Sequence, residues 1–361
     1  MSLNRNATTD RAVEINGPAD HSEVTTPVAP ASLTSTTDNV LSRLLAEKQC
    51  LIADGAVGTN MMHAGLGPGD PPDFWNLDNP EPVRELHRAF VDAGSDIILT
   101  NTFGSNGPRL SLDGAESRCL EINVAGARHA RAAADAADRP VVVAGSIGPT
   151  GDLMEPFGAM TVDEAYKAYT EQAEALAEGG VDVIWIETIF IFDELGAAIR
   201  AGQSTGLPVC ATMTFDTNRR TMMGDKPEVA MEYVLGLDEP PLAFGANCGA
   251  GPSMLIDSIC GLERAANEDT VIIAKGNCGI PEIGDGGKIV FSGTVDVMQT
   301  YARMARDAGA RIIGGCCGTS PETLKAIAEA VRDYTPGPSP EVETIEAALG
   351  RLKAPRVADT M

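Results

Sequence analysis

The chain has 361 residues, 43% hydrophobic and 22% charged, enough to bury a large core in one big α/β barrel or two ordinary domains. Its formal net charge of −24 repels phosphate backbones and acidic membrane surfaces, which argues against nucleic acid or a membrane as partner. No apolar run approaches the roughly 20 residues that span a bilayer, and the N-terminus lacks the charged-then-apolar pattern of a secretory signal. The expected location is therefore cytoplasmic, where the eight cysteines stay reduced and serve metal binding or burial rather than crosslinking. The acidity could modestly attract a cationic small molecule, although keeping the protein soluble is reason enough for it.

Residues 1–38 are rich in Thr, Ser, Ala, Asn and Pro, with almost no periodic apolar content, and are expected to form a disordered extension. A short helix comes next, ending near Lys48, that would cap the bottom of the adjoining unit. From Cys50 onward, apolar runs of strand length alternate with stretches of helical period. Strands are expected at 50–54, 95–101, 140–145, 182–187, 208–214, 243–247, 270–275 and 310–314. Helices are expected near 80–93, 115–136, 161–179, 192–204, 226–235, 251–266, 294–308 and 320–333. Start signals mark several of them: Thr161 before Glu164, Thr294 before Val297, and Ser320-Pro321-Glu322. Eight strand–helix units in about 290 residues predict a single closed (β/α)₈ TIM barrel over 39–335 rather than an open doubly wound sheet. No G-x-G-x-x-G succeeds the first strand, so a nucleotide fold is disfavoured. Beyond Tyr334, Thr-Pro-Gly-Pro-Ser-Pro breaks any helix. The tail 336–361 should hold at most one or two loose helical turns, lying on the barrel or covering a partner subunit in an oligomer.

In such a barrel the active site forms where the C-terminal ends of the strands converge, so polar residues there are read functionally. They are Asp54 after the first strand, Asn101 and Thr102 after the second, Glu187 ending the fourth, Cys248 after the sixth, Cys278 after the seventh, and Cys316 and Cys317 after the eighth. The last two stand in Gly314-Gly315-Cys316-Cys317-Gly318-Thr319. Adjacent residues of a strand face opposite ways, so both thiols can reach one ion only where the strand has ended and the backbone turns sharply, as these glycines would permit. Three thiolates leave the fourth position of a tetrahedral zinc ion open for a substrate. The alternative is plain burial of small apolar side chains. Two cysteines compete to be the third ligand, because Asn247-Cys248-Gly249 and Asn277-Cys278-Gly279 repeat one tripeptide, and spacing alone does not choose between them. Glu187, at the end of Val-Ile-Trp-Ile, must meet a cation or raise its pKa. A substrate amino group would suit it, as would a neighbouring Arg or Lys.

Asp54-Gly55, Leu99-Thr-Asn-Thr-Phe103, Gly148-Pro-Thr-Gly151, Glu187-Thr188, Met213-Thr-Phe-Asp216, Asn247-Cys248 and Gly314-Gly-Cys-Cys-Gly-Thr319 together resemble the homocysteine S-methyltransferase family. That family includes betaine–homocysteine methyltransferases and the homocysteine module of cobalamin-dependent methionine synthase, and the resemblance covers about residues 40–335. It implies a zinc-binding (β/α)₈ barrel that makes methionine, with Cys248 as third ligand beside Cys316 and Cys317. Glu187 matches the residue that holds the amino group of homocysteine, Asp54 and Gly55 match its other contacts, and Asn101 and Thr102 join them as candidates. Glu187 and Asp54 are the catalytic candidates. The methyl donor is expected to be a small onium compound such as glycine betaine, with Trp75, Phe103 and Trp185 as aromatic faces for it. The alternative is a homocysteine-activating component that takes its methyl group from a separate corrinoid protein.

Overall fold

The computed structural model describes residues 39–67, 69–216, 218–283 and 289–352, so the extension 1–38 lies outside the described residues. Seven strands come first: β1 Leu51–Ile52, β2 Ile97–Leu99, β3 Val142–Ile147, β4 Val183–Ile189, β5 Val209–Met213, β6 Ala243–Cys248 and β7 Ile272–Gly276. A small hairpin, β8 Pro281–Ile283 and β9 Ile289–Phe291, precedes the eighth barrel strand, β10 Ala310–Gly315. All eight barrel strands are parallel, in the order β1-β10-β7-β6-β5-β4-β3-β2. A parallel bridge between Ala53 and Ile97 joins the two edges. Asp96 N donates to Ile52 O at 2.7 Å and Asp54 N to Ile97 O at 3.0 Å across that seam, so the sheet closes as a TIM barrel.

Strands covered on both faces read as continuous apolar runs, and burial agrees: all residues of β3, β5 and β7 are buried. Their inward side chains, among them Val142, Val183, Trp185, Ile273 and Ile312, form one core with Leu41, Leu44 and Leu45 of the helix Val40–Glu47. That helix plugs the end of the barrel, as expected. Helix starts also obey the sequence signals: Thr161 and Glu164 close a reciprocal capping box, and Thr294 and Ser320 accept from Val297 N and Thr323 N.

Besides a shorter β1, Leu51–Ile52, and short helices in the loops after β1 and β2, three features depart from the sequence reading or refine it. β2 is shorter than 95–101, because Asp96 at its start and Thr100 and Thr102 beyond its end turn their side chains to backbone groups of neighbouring strands. The β8–β9 hairpin is an addition to the expected barrel, and Phe291 from it lies against Gly318. The tail forms a helix, Val342–Leu349, that buries Ile345 and packs on the helices Pro252–Ala265 and Val295–Asp307. Val342, Ile345 and Leu349 recur at helical spacing, an apolar stripe that the Pro-rich stretch before them obscures. Tyr334 OH and Gly337 N anchor the connection on the Asp307 carboxylate. Among the described residues no helix is long and apolar enough to cross a membrane.

Tyr301, buried on the helix Val295–Asp307, ties that layer to the strands that carry the thiols. Its hydroxyl accepts from Gly276 N at 2.9 Å and lies within donating distance of Ala274 O and Gly314 O. Tyr301→Phe strands a buried N–H, so it should lower unfolding free energy by about 1–3 kcal/mol in urea titrations. A loss too small to measure would show that this hydroxyl does not brace β7 against β10.

Candidate metal centre and substrate site

β10 ends at Gly315, and Cys316 and Cys317 form a tight turn that closes with Thr319 N donating to Cys316 O. Gly318 supplies the left-handed residue of this turn at φ +78°. Gly314 and Gly315 are not part of the turn. They are glycines because neighbours crowd the strand: a Cβ on Gly314 would stand 2.8 Å from Asp54 O, and one on Gly315 would strike Thr319. Cys316 N donates to Gly276 O at 2.7 Å and Cys317 N to Asn277 Oδ1 at 3.0 Å, which locks the turn to the end of β7.

The third thiol comes from β6. Cys248 takes φ +58°, a conformation few non-glycine residues adopt, and Thr188 after Glu187 takes φ +67°. Buried Asn247 holds both segments. Its Oδ1 accepts from Thr188 N at 2.9 Å and Thr212 Oγ1 at 2.8 Å, and its Nδ2 donates to Thr188 Oγ1 at 2.7 Å. Cys248 Sγ then lies 2.9 Å from Cys316 Sγ and 3.9 Å from Cys317 Sγ, with all three sulfurs within 4.8 Å of one another.

This donor set fits a thiophilic divalent ion. Metal–sulfur bonds of about 2.3 Å in a tetrahedron place sulfurs about 3.8 Å apart. The Cys248–Cys317 spacing already matches, and Cys248–Cys316 needs to open by about 1 Å. Within the cluster, hydrogen bonds from Cys248 and Cys316 hold the Cys317 thiol well below the ordinary cysteine range, while those same contacts push Cys248 up. These mutual contacts favour a shared negative charge on the cluster, and a bound metal cation would favour loss of the remaining thiol protons. Cys278 is not part of it. That buried thiol points to Gly293 O, 3.6 Å away, and its backbone N–H donates to Cys317 O.

Beside the thiols lie two carboxylates and a cation that the sequence reading does not single out. One extra residue between Ile186 and Ile189 in the β4–β5 ladder bulges the strand where Glu187 stands. Glu187 Oε1 accepts from Ser146 Oγ at 2.6 Å, and burial pushes its pKa up to about 7 against the opposing charge of Lys275. Asp54 is fully enclosed. Its Oδ1 accepts from Lys275 Nζ at 2.7 Å and its Oδ2 from Leu99 N at 2.7 Å. Burial alone would lower the pKa of Lys275, but Asp54 and Glu187 outweigh it and raise it, so the ammonium stays charged. Lys275 ends Val-Ile-Ile-Ala-Lys, the same kind of signal that singles out Glu187, and that signal could have found it.

Gly55 packs so tightly that a Cβ would lie 2.6 Å from Thr319 O and 2.9 Å from the Phe90 ring. Asn101 Nδ2 donates to Pro72 O and Asn76 Oδ1, and Thr102 Oγ1 to Ser146 O, so both brace the loop after β2. Of the aromatic candidates, Trp185 is fully buried with its ring 5.8 Å from Lys275 Nζ and has no face for a ligand, whereas Trp75 and Phe103 are half-buried.

Fold and cluster together define a (β/α)₈ barrel with a three-thiol centre at the C-terminal ends of its strands. The chain belongs to the homocysteine S-methyltransferase family, whose model matches residues 51–331. It is 30% identical over 303 residues to methionine synthase of Mycobacterium tuberculosis (strain ATCC 25618 / H37Rv), covering 79% of this chain and 25% of that protein. With methionine synthase of Mycobacterium leprae (strain TN) the identity is 28% over 335 residues, 87% of this chain and 27% of that one. The chain thus spans about a quarter of the length of these relatives. Its fold is similar to that of the metallated form of the homocysteine methyltransferase MmuM from Escherichia coli. The TM-score is 0.68 at 22% identity, covering 80% of this chain and 99% of that chain.

Changing Cys248, Cys316 or Cys317 to Ala should abolish tight metal binding, and Cys278→Ala should retain it, as read by metal analysis of purified protein. Asn277→Ala, which frees the turn without removing a ligand, should weaken metal affinity about 10–100-fold. Retention of metal by Cys248→Ala and its loss from Cys278→Ala would reverse the assignment.

Proposed function

We propose that this protein is a zinc-dependent homocysteine S-methyltransferase that makes methionine, with glycine betaine or a related onium compound as donor. The observation that carries this reading is the convergence of Cys248, Cys316 and Cys317 beside Glu187 at one end of the barrel. A free thiol with a pKa of about 8.5 is mostly protonated, and therefore a poor nucleophile, near pH 7. Zinc, when bound by the three cysteines, supplies the Lewis acidity that keeps the substrate sulfur deprotonated.

The side chains of the protein do the rest. Glu187, oriented by Ser146, accepts the substrate ammonium and fixes the direction from which its sulfur reaches the thiols. Asp54 and Gly55 shape the end that takes the rest of the amino acid; Asp54 acts from within, since its own carboxylate is engaged by Lys275 and Leu99. The substrate sulfur attacks the methyl carbon of the onium donor: a sulfur–carbon bond forms as the carbon–nitrogen bond breaks, and the neutral amine leaves. Trp75 and Phe103 remain the aromatic candidates for the donor. All eight cysteines are free thiols.

A second reading has its own support. Phe157, Met222 and Leu153, on loops at the C-terminal side of barrel strands, are exposed, and the matching methionine synthases are about four times longer than the aligned region. A separate corrinoid protein docked on those loops could deliver the methyl group. Purified protein with zinc, homocysteine and betaine should form methionine. Methionine only with a methylated corrinoid protein would replace the first reading by the second.

Glu187→Gln should weaken homocysteine binding about tenfold to a hundredfold, the worth of a charge-assisted hydrogen bond of roughly 1.5–3 kcal/mol, with zinc content unchanged. Because burial raises the pKa of Glu187 to about 7, its carboxylate is ionised above that pH and neutral below it. Wild-type affinity measured by calorimetry should therefore fall as pH drops through about 7. The Gln variant isolates this effect from deprotonation of the thiol, since only the Glu187 component disappears. Equal affinities and equal pH profiles for the two proteins would leave Glu187 a structural residue.

A further inference from the structure

Lys275 is almost wholly enclosed, 2% exposed, between two carboxylates that the substrate reading needs. It donates to Asp54 at 2.7 Å, and its charge also acts on Glu187. The three groups differ in access: Asp54 is 0% exposed and Glu187 9%. Only Glu187 therefore keeps a surface that an incoming group can reach. Apart from the thiol cluster, and above pH about 7 where Glu187 is ionised, these two carboxylates and one ammonium carry a single net negative charge, in a setting where an uncompensated charge is costly.

We propose that Lys275 is a positioning and specificity residue that sets the charge of the homocysteine site, so that the site accepts an amino acid zwitterion in preference to a cationic aminothiol. The proposal rests on Glu187 holding the substrate ammonium. The lysine reaches the substrate only through the field it sets and through Asp54, which it holds in place. By cancelling Asp54, it leaves one negative charge to match one ammonium. It also makes the surroundings less hostile to the substrate carboxylate, which two unopposed acids would repel. A site with the same shape and one positive charge fewer would select against that carboxylate.

The test compares homocysteine with aminopropanethiol, which keeps the thiol and the ammonium but lacks the carboxylate. Dissociation constants are measured on zinc-loaded protein by calorimetric competition. Lys275→Gln keeps a hydrogen-bond donor for Asp54 and removes the charge. It should shift the affinity ratio about tenfold towards aminopropanethiol. Asp54→Asn removes the opposite charge and should shift the ratio towards homocysteine, and it also serves if Lys275→Gln fails to fold. Lys275→Arg keeps the charge and should leave the ratio close to that of the wild type.

A merely structural lysine would lower both affinities in parallel, and an unchanged ratio in Lys275→Gln and Asp54→Asn would overturn the proposal. Shifts of the same sign in the two variants would overturn it as well. Failure of the underlying reading has a different signature. In that case Glu187→Gln would leave both ligands bound as in the wild type.

Discussion

Asp54 is the point through which the barrel closes and the site is placed. Its N–H crosses the β1–β2 seam to Ile97 O, its carbonyl receives Gly315 N, Oδ2 receives Leu99 N, and Oδ1 receives Lys275 Nζ. One residue thereby joins β1, β2, β7 and β10, and Gly315 immediately precedes the two adjacent thiols. The carboxylate is fully buried, so its interactions are strong and so is its cost if left unpaired. Removing one partner from a buried ion pair typically costs about 3–5 kcal/mol, whereas a hydrophobic replacement of both can be neutral. Such a pair is weak evidence for stability. Its position, touching both the seam and the thiol turn, points instead to precision at the open end of the barrel.

The two Asn-Cys-Gly tripeptides show how identical local text is put to different use. At the end of β6, Asn247 turns back to Thr188 and Thr212, and Cys248 enters the left-handed region that brings its sulfur to Cys316. At the end of β7, Asn277 reaches sideways to Gly249 O and Cys317 N, bridging the two thiol-bearing loops, and the chain runs on into the β8–β9 hairpin. There Cys278 turns towards Gly293 and away from the cluster. The first asparagine fixes a ligand conformation and the second fixes the distance between ligand loops. Nothing within either tripeptide separates these roles. The separation comes from the partners each asparagine meets across the barrel and from the hairpin that only the second strand leads into.

Legibility in the sequence tracks the range of the interaction. Strand and helix periodicity is local, so the eight units, the capping box at Thr161 and the plug formed by Val40–Glu47 are readable from the residues alone. The terminal thiols are readable because adjacent cysteines among glycines at a strand end are chemically unusual. Residues that act through partners far along the chain are not. Lys275 meets Asp54 across 221 positions, and Asn247 meets Cys316 across 69. Gly314 and Gly315 read as turn residues, but their reason is crowding by Asp54, Ala53 and Thr319, which only the folded barrel reveals. Trp185 reads as an aromatic face for a ligand, yet its position midway along β4 turns it into the filled interior of the barrel.

Chemistry rather than volume distinguishes the functional end. A cleft of about 680 Å³ opens at the opposite end of the barrel, lined by Lys48, Asp96, Arg139, Arg306 and Tyr334 among others. Its charges have local explanations. Lys48 and Arg306 stand at or near helix C-termini, where the backbone dipole favours cations, and Asp96 accepts from Lys48 and from Ile52 N. Those contacts hold the plug helix and the β1–β2 seam, so the polar groups there largely answer one another. At the thiol end the groups do not cancel in this way. Three sulfurs converge on one point, and Glu187 has one oxygen on Ser146 while part of its carboxylate still faces the open end. Donors and charge that their neighbours leave unmatched, held in place by a rigid scaffold, are what ligand binding and catalysis draw on.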